Sequence, residues 1–516
     1  MRTIVRPVAV GTIGLALLVS ACSSSNSTGA NGNDPGSSTT SPVGTAGSTA
    51  SKAVKPAQPT KVTAPTVKGP LTGGKYGKPF NPLTKADADK YGYTEHEYTI
   101  EGTATSYSAD GTFGEDGKWP VKTSASTAPY TTRIVVRLPR DKTTFNGTVL
   151  AEWLNVTSGM DADPDFGFSH TELLRSGYGY IAVSAQLVGI NGGARIPIPG
   201  FDVKALKEWD PVRYADLSHP GDQYSYDIFS QAAATTLDPL GVDPFDGYEV
   251  TSLLATGESQ SAGRMTTYVN AIHPVVRLFD GFLIHSRGPS GAAINATENV
   301  VPAIGHIRGD LTEPVLQVQA ETDLFGLGFY PARQPDTDNL RTWELAGTAH
   351  ADQFTLDYGI ESGHEWDPTA SIDFTELCGV LNKGPQTFLI RAAVAGLRSW
   401  VADGTAPPMG PLIEVADKKV ARDADGNAKG GIRTPLVDVP VATLSGEPGG
   451  ASSAICSLFG FTKPFTADRL AALYQDQADY VAKYQAATTK AINAGFLLPA
   501  DEAEVNAITE QTAFGG

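Results

Sequence analysis

The stretch from Val250 to Ala255 is apolar and strand-like, it ends in Gly257-Glu258-Ser259-Gln260-Ser261, and a helical run follows at once. A chain that passes from strand to helix over so few residues turns sharply at its central position. Such a turn forces the central residue into a strained backbone conformation, lifts its side chain clear of the sheet, and demands small neighbours on either side. Gly257 and Ser261 meet that demand. Ser259 is therefore expected at an exposed elbow, with its hydroxyl presented at the end of a strand.

The surrounding chain supplies a sheet for that strand. Tyr98 to Tyr107, Thr132 to Leu138, Gly147 to Leu154 and Tyr178 to Ala185 read as strands, rich in β-branched and aromatic residues between turn formers. A short helical stretch, His170 to Ser176, separates the last two, and strand, helix, strand with short joints indicates a parallel α/β unit. Tyr226 to Leu237 carries a helical period. Phe279 to Ile284, Val315 to Val318 and Thr342 to Leu345 read as further buried strands, and Leu389 to Val401 as a helix packed on them. Thr466 to Ala494 reads as one long amphipathic helix, with Thr466 as N-cap and Gly495 ending it.

A serine hydroxyl is a weak nucleophile at neutral pH. It needs a base to take its proton, and that base needs a partner to orient it. Glu321-Thr322-Asp323 follows the Val315 strand directly, and Ala346-Gly-Thr-Ala-His350 follows the Thr342 strand. The order is serine, acid, histidine, each expected at the C-terminal end of a parallel strand. Asp323 fits the acid by its offset from the strand, with Glu321 as the alternative on the same turn. His285 ends a strand at the same edge and is the competing base. The oxyanion of a tetrahedral intermediate needs two donors. The backbone N–H of Gln260 is one, and Asn155 and Val156, in the loop after the Gly147 strand, are the candidates for the other.

Gly-Glu-Ser259-Gln-Ser-Ala-Gly-Arg, the Ala-Glu-Thr-Asp323 after a Pro-Val-Leu strand, and Ala-Gly-Thr-Ala-His350 together resemble the α/β-hydrolase superfamily. More narrowly, with Tyr224-Ser-Tyr-Asp-Ile-Phe-Ser-Gln231 and Gly431-Ile-Arg-Thr-Pro435, they resemble its large bacterial members of unassigned substrate. That resemblance implies a mostly parallel central sheet flanked by helices, with Ser259 as nucleophile, His350 as base and Asp323 as orienting acid. It implies a serine hydrolase that needs no cofactor, with a carboxylic ester as the fitting substrate. A peptidase or acyltransferase would use the same residues, and a hydrolase fold without activity, serving as an envelope binding or structural lipoprotein, is the contrasting expectation.

The N-terminal stretch leads to the expectation of an exported chain. Arg2 and Arg6 precede an apolar stretch from Val8 to Val19, then Ser20-Ala21-Cys22. This describes a secretory signal over residues 1–21, and Cys22 after small residues resembles a lipobox whose cysteine becomes the lipid anchor. A lipid-anchored protein of the bacterial cell envelope is expected, bound to the membrane at Cys22. Residues 22–75, dominated by Ser, Thr, Gly, Ala and Pro, read as a disordered tether. The catalytic domain is expected over 76–405, with a C-terminal extension over 406–516 packed on it. Cys378 and Cys456 form an even pair in an exported chain, which favours a disulfide. A net charge of −17 argues against nucleic acid as a partner. Asp161, Asp163, Asp165 and Glu172 have offsets like a calcium loop, but Phe166 stands where that loop needs glycine, so no metal is expected.

Overall fold

A computed structural model describes residues 62–511, apart from 199–201, 296–299, 369–371, 385, 451 and 452. The signal stretch, Cys22 and the tether as far as residue 61 lie outside the described residues.

Ten strands form one sheet: β1 (Thr66–Lys68), β2 (Tyr93–Ala109), β3 (Val121–Pro139), β4 (Thr148–Trp153), β5 (Gly179–Val183), β6 (Leu240–Gly241), β7 (Ser252–Glu258), β8 (Gly281–His285), β9 (Val315–Ala320) and β10 (Leu340–Leu345). Their order is β10-β9-β8-β7-β4-β5-β3-β2-β1-β6. From β10 to β5 every neighbouring pair is parallel. β3, β2 and β1 then add antiparallel strands to the far side. The parallel strands are short and almost wholly buried, since helices cover both faces, which is why they appear as continuous apolar runs. Alternation still decides which face each residue serves. Leu253, Ala255, Phe282 and Ile284 enter one core, while Leu254 and Leu283 enter the other.

The helices that matter for the site are α1 (Pro164–Arg175), α2 (Ser225–Ala234), α3 (Gln260–Thr267), α4 (Gln353–His364), α5 (Gln386–Asp403), α6 (Ala467–Leu473) and α7 (Gln477–Asn493). α2 and α3 pack Phe229 and Met265 into the first core. α1, α5 and α7 pack Phe168, Leu389 and Tyr484 into the second. Residues past 405 thus share a core with the sheet.

Several elements differ from their sequence-based outlines. The folded part begins before residue 76: Val67 is buried on β1, which pairs with β2, and Leu71 N–H donates to Glu97 O. One apolar residue between two exposed ones suffices for a short strand beside an existing sheet, and composition alone does not reveal it. α1 starts at Pro164, six residues earlier than the His170 start expected, because proline at the first helical position needs no N–H partner. The long C-terminal helix is two. Tyr474 leaves helical geometry at φ −133°, its hydroxyl donates to Pro440 O, and Asp476 caps a fresh helix by accepting from Asp479 N–H. A side-chain oxygen that competes for backbone donors ends one helix and opens the next.

Cys378 and Cys456 are bonded, with their Cα atoms 5.3 Å apart. The bond joins the short helix Phe374–Cys378 to the turn Ala454–Leu458, within a small apolar cluster that includes Leu381, Ile455 and Phe459.

Candidate active site

β7 ends at Glu258 and α3 begins at Gln260, so Ser259 alone makes the turn, at φ 60° and ψ −115°. A side chain pays about 1–3 kcal/mol for such a conformation, and it persists only where the surroundings impose it. Here the Ser259 N–H donates to His285 O on the neighbouring strand, and Gly263 N–H donates to Ser259 O. Gly257 is obligatory, since a Cβ there would lie 2.9 Å from the carbonyl oxygen of Ser261. Ser261 is fully buried, with no partner for its Oγ among the described residues, which explains why this position has to be small rather than polar.

Three loops at the C-terminal ends of β7, β9 and β10 bring Ser259, Asp323 and His350 together. His350 Nε2 lies 2.8 Å from Ser259 Oγ, and His350 Nδ1 lies 2.8 Å from Asp323 Oδ1. The other Asp323 oxygen accepts from Ala320 N–H at 2.6 Å, and His350 N–H donates to Thr322 Oγ1 at 3.1 Å, so the acid loop and the histidine loop hold each other. With an acceptor at Nδ1, a neutral imidazole carries its proton there and turns the Nε2 lone pair to the serine hydroxyl.

Glu321 has a different task. Its Oε1 accepts from Arg422 Nη2 at 2.6 Å and Gly446 N–H at 3.1 Å, and its Oε2 accepts from Gly347 N–H at 3.0 Å. It ties the turn that carries His350 to the C-terminal residues. His285 is also engaged elsewhere, with Nδ1 2.7 Å from Asp165 Oδ1 beneath the site. The three aspartates that resembled a metal loop point to separate partners. Asp161 pairs with Arg133, Asp163 with Arg137, and Asp165 with His285.

Of the expected oxyanion donors, the Asn155 amide is spent, donating to Ala162 O at 2.8 Å in a reciprocal bridge. A loop that folds back on itself consumes that N–H, which strand-end counting does not foresee. The Gln260 amide, at the first position of α3, and the Val156 amide have no backbone or side-chain acceptor among the described residues. Asn155 acts through its side chain instead, donating from Nδ2 to Glu258 O at 3.1 Å and to Glu258 Oε2 at 3.2 Å.

Glu258 itself is the residue that sequence reasoning passed over. Its Oε1 is 3.1 Å from His350 Nε2, the nitrogen that also faces Ser259. The signal was its place beside the elbow serine, at the last position of the strand. Burial raises the Glu258 carboxyl to about 7, with the nearby His350 and His285 offsetting only part of that rise. Burial alone would lower His350, but the Glu258 and Asp323 carboxylates outweigh it and hold the imidazole at about 9.

The Alpha/beta hydrolase domain family model matches residues 67–507. No curated protein matches the chain in sequence. Among solved structures, a glucuronoyl esterase from Solibacter usitatus is 12% identical, covering 61% of this chain and 88% of its own, with a TM-score of 0.26. An α/β serine hydrolase without a lid from Xanthomonas campestris is 11% identical, covering 53% and 97%, also at a TM-score of 0.26. A fungal esterase from Rhizomucor miehei is 10% identical, covering 59% and 84%, at a TM-score of 0.26. Similarities this distant say nothing of what the chain acts on. The family match spans nearly all the described residues, from β1 to the end of the last α-helix, and the chain belongs to the α/β-hydrolase domain family.

Proposed function

We propose that the protein is an extracytoplasmic serine hydrolase that cleaves carboxylic esters through an acyl-enzyme on Ser259. The observation that carries this is the unbroken relay Ser259–His350–Asp323, with both contacts at 2.8 Å and the serine on a strained elbow. In this mechanism Ser259 Oγ attacks the ester carbonyl carbon while His350 Nε2 takes its proton. Asp323 fixes the tautomer and, with Glu258, stabilises the imidazolium that forms. The amides of Gln260 and Val156 receive the oxyanion. Collapse of the intermediate expels the alcohol, which leaves with the proton from His350. Water then attacks the acyl-enzyme with His350 again as base, and the acid departs with Ser259 restored. Every proton moves through one imidazole, so no cofactor enters the cycle.

A fluorophosphonate probe is expected to label the folded wild-type protein at Ser259 and to leave Ser259→Ala unlabelled. Equal labelling of the two would sink the assignment of the nucleophile, and a folded wild type that does not react would favour a binding protein built on a hydrolase fold.

Anchoring in the cell envelope forms part of the same proposal. Its support is the basic head and apolar stretch ending in Ser20-Ala21-Cys22, together with the Cys378–Cys456 bond, of a kind that oxidising compartments favour. The wild-type protein is expected in the membrane fraction after cell breakage, carrying label from an alkyne fatty acid. Cys22→Ser is expected to lose that label, and wild-type protein that takes up none would end the anchor idea.

A further inference from the structure

Two buried groups that the relay does not use lie beneath it. His285 ends β8 and Asp165 belongs to the first turn of α1, with Nδ1 and Oδ1 2.7 Å apart. They repeat the imidazole–carboxylate contact that His350 makes with Asp323 at 2.8 Å. Asp165 is fixed from two strands. Its N–H donates to Glu152 Oε1 on β4 at 3.0 Å, and its Oδ2 accepts from Thr256 Oγ1 on β7. Glu152 also accepts from Phe166 N–H at 2.9 Å and so satisfies the open first turn of α1.

The sheet places this pair against Glu258. Glu258 and His285 are register partners on the parallel strands β7 and β8, and neighbouring strands lie about 4.8 Å apart. Side chains alternate along a strand, and Leu254 and Leu283, at even offsets from the two, enter the same core, so Glu258 and His285 project from one face. The Phe168 ring of α1 meets the His285 ring edge-on at 5.3 Å and closes that face. Glu258 thus has an imidazole on each side, with His350 Nε2 at 3.1 Å and His285 on the next strand.

The charges around the two groups favour opposite signs. Acidic groups surround His285: Asp165 from α1, Glu258 from β7, Asp323 after β9, and Asp352 at the cap of α4. Burial alone would lower the His285 imidazole, but the hydrogen bond to Asp165 and the charges of Asp165, Glu258 and Asp323 raise it. Burial raises the Glu258 carboxyl, His350 and His285 oppose that rise, and Asp165 and Asp323 add to it. A protonated Glu258 has no charge to lend to His350. Of the two imidazoles that keep it ionised, His350 gives up its own proton to act as base, which leaves His285.

We propose that His285 and Asp165 are a positioning pair for the hydrolase: Asp165 holds a charged His285 imidazole beside Glu258, so that Glu258 meets His350 as a carboxylate. The pair touches no reacting atom and acts through Glu258. Its part in turnover rests on the hydrolase reading, whereas its hold on Glu258 does not.

Infrared titration of the wild-type protein reads the carbonyl band of the protonated Glu258 carboxyl, which Glu258→Gln assigns by removing it. His285→Asn, whose amide keeps a donor for Asp165, should move that titration upward by about one pH unit. In hydrolysis of 4-nitrophenyl acetate, the same variant should lower kcat/KM at pH 7 by about three- to tenfold, with the alkaline plateau falling less than about twofold. Added to Glu258→Gln, it should have no further effect at pH 7, since the group it acts through is gone. A Glu258 band unmoved by His285→Asn overturns the proposal. So does a plateau that falls as far as the pH 7 rate in both backgrounds, which is what a merely structural histidine would give. If His285→Asn does not fold, Asp165→Asn, which withdraws the partner of the charged imidazole, decides by the same upward shift or its absence. A wild-type protein that neither hydrolyses the ester nor takes the fluorophosphonate label, while the band still shifts in the variant, overturns the hydrolase reading and leaves the hold of His285 on Glu258 standing.

Discussion

Asp323→Asn is expected to lower kcat/KM by about 10⁴-fold, the loss seen when an asparagine holds a catalytic imidazole in the wrong tautomer. The geometry explains the size of the effect. Asp323 Oδ1 is the acceptor that draws the His350 proton to Nδ1, and its Oδ2 is anchored by Ala320 N–H, so the substituted amide stays in place. An amide N–H directed at Nδ1 would reverse the tautomer and present an N–H, in place of a lone pair, to Ser259. Glu321→Gln is the informative contrast. Glu321 pairs with Arg422 and steadies Gly347, so its loss should lower the unfolding temperature and cost less than about tenfold in activity at temperatures where the protein stays folded. Kinetics and thermal unfolding of the two variants, measured in parallel, decide which carboxylate orients the base. A 10⁴-fold loss in Glu321→Gln with little in Asp323→Asn would overturn the assignment.

The residues that proved legible in the sequence were those whose roles are local. The elbow was visible because steric demand at Gly257 and Ser261 is a matter of adjacent positions. The convergence of Asp323 and His350 on Ser259 was visible because each follows a buried strand of a parallel sheet directly, and a parallel sheet gathers such ends at one edge. What stayed hidden depends on how distant segments fold back. The Asn155 amide is consumed by Ala162, the aspartates of the 161–165 loop scatter to three different partners, and β1 forms only because β2 offers a free edge. The break between α6 and α7 is intermediate. Asp476 is a good cap in its own right, but a continuous apolar period runs across it, and the competition is settled by Tyr474 reaching Pro440. Glu258 was overlooked for a related reason. The strand was expected to end at Ala255, whereas β7 continues to Glu258 and aims that carboxylate at the histidine.

Glu258→Gln should therefore change the pH dependence of catalysis in a specific way. In the wild-type protein His350 has to be neutral to accept the serine proton, so kcat/KM is expected to rise with pH and level off above the imidazole's value of about 9. The Glu258 carboxylate contributes to that high value, so removing its charge should move the alkaline limb to lower pH, by about one to two pH units. The same charge stabilises the imidazolium in the transition state, so the plateau should fall by about tenfold to a hundredfold. Below the limb the two effects oppose each other. A lower proton affinity frees more of the base, but each turnover then loses the stabilisation of its imidazolium, and the rate near pH 6 should change little. Glutamine retains the shape and an oxygen acceptor for Asn155 Nδ2, so a loss of fold is not expected to confound the profile. A plateau that drops with no movement of the limb would mean that Glu258 only supports the loop. A profile identical to that of the wild-type protein would mean that the 3.1 Å contact with His350 is without consequence for the chemistry. The downward shift of the limb together with the lower plateau is the joint signature of a carboxylate that shares the proton of the catalytic imidazole.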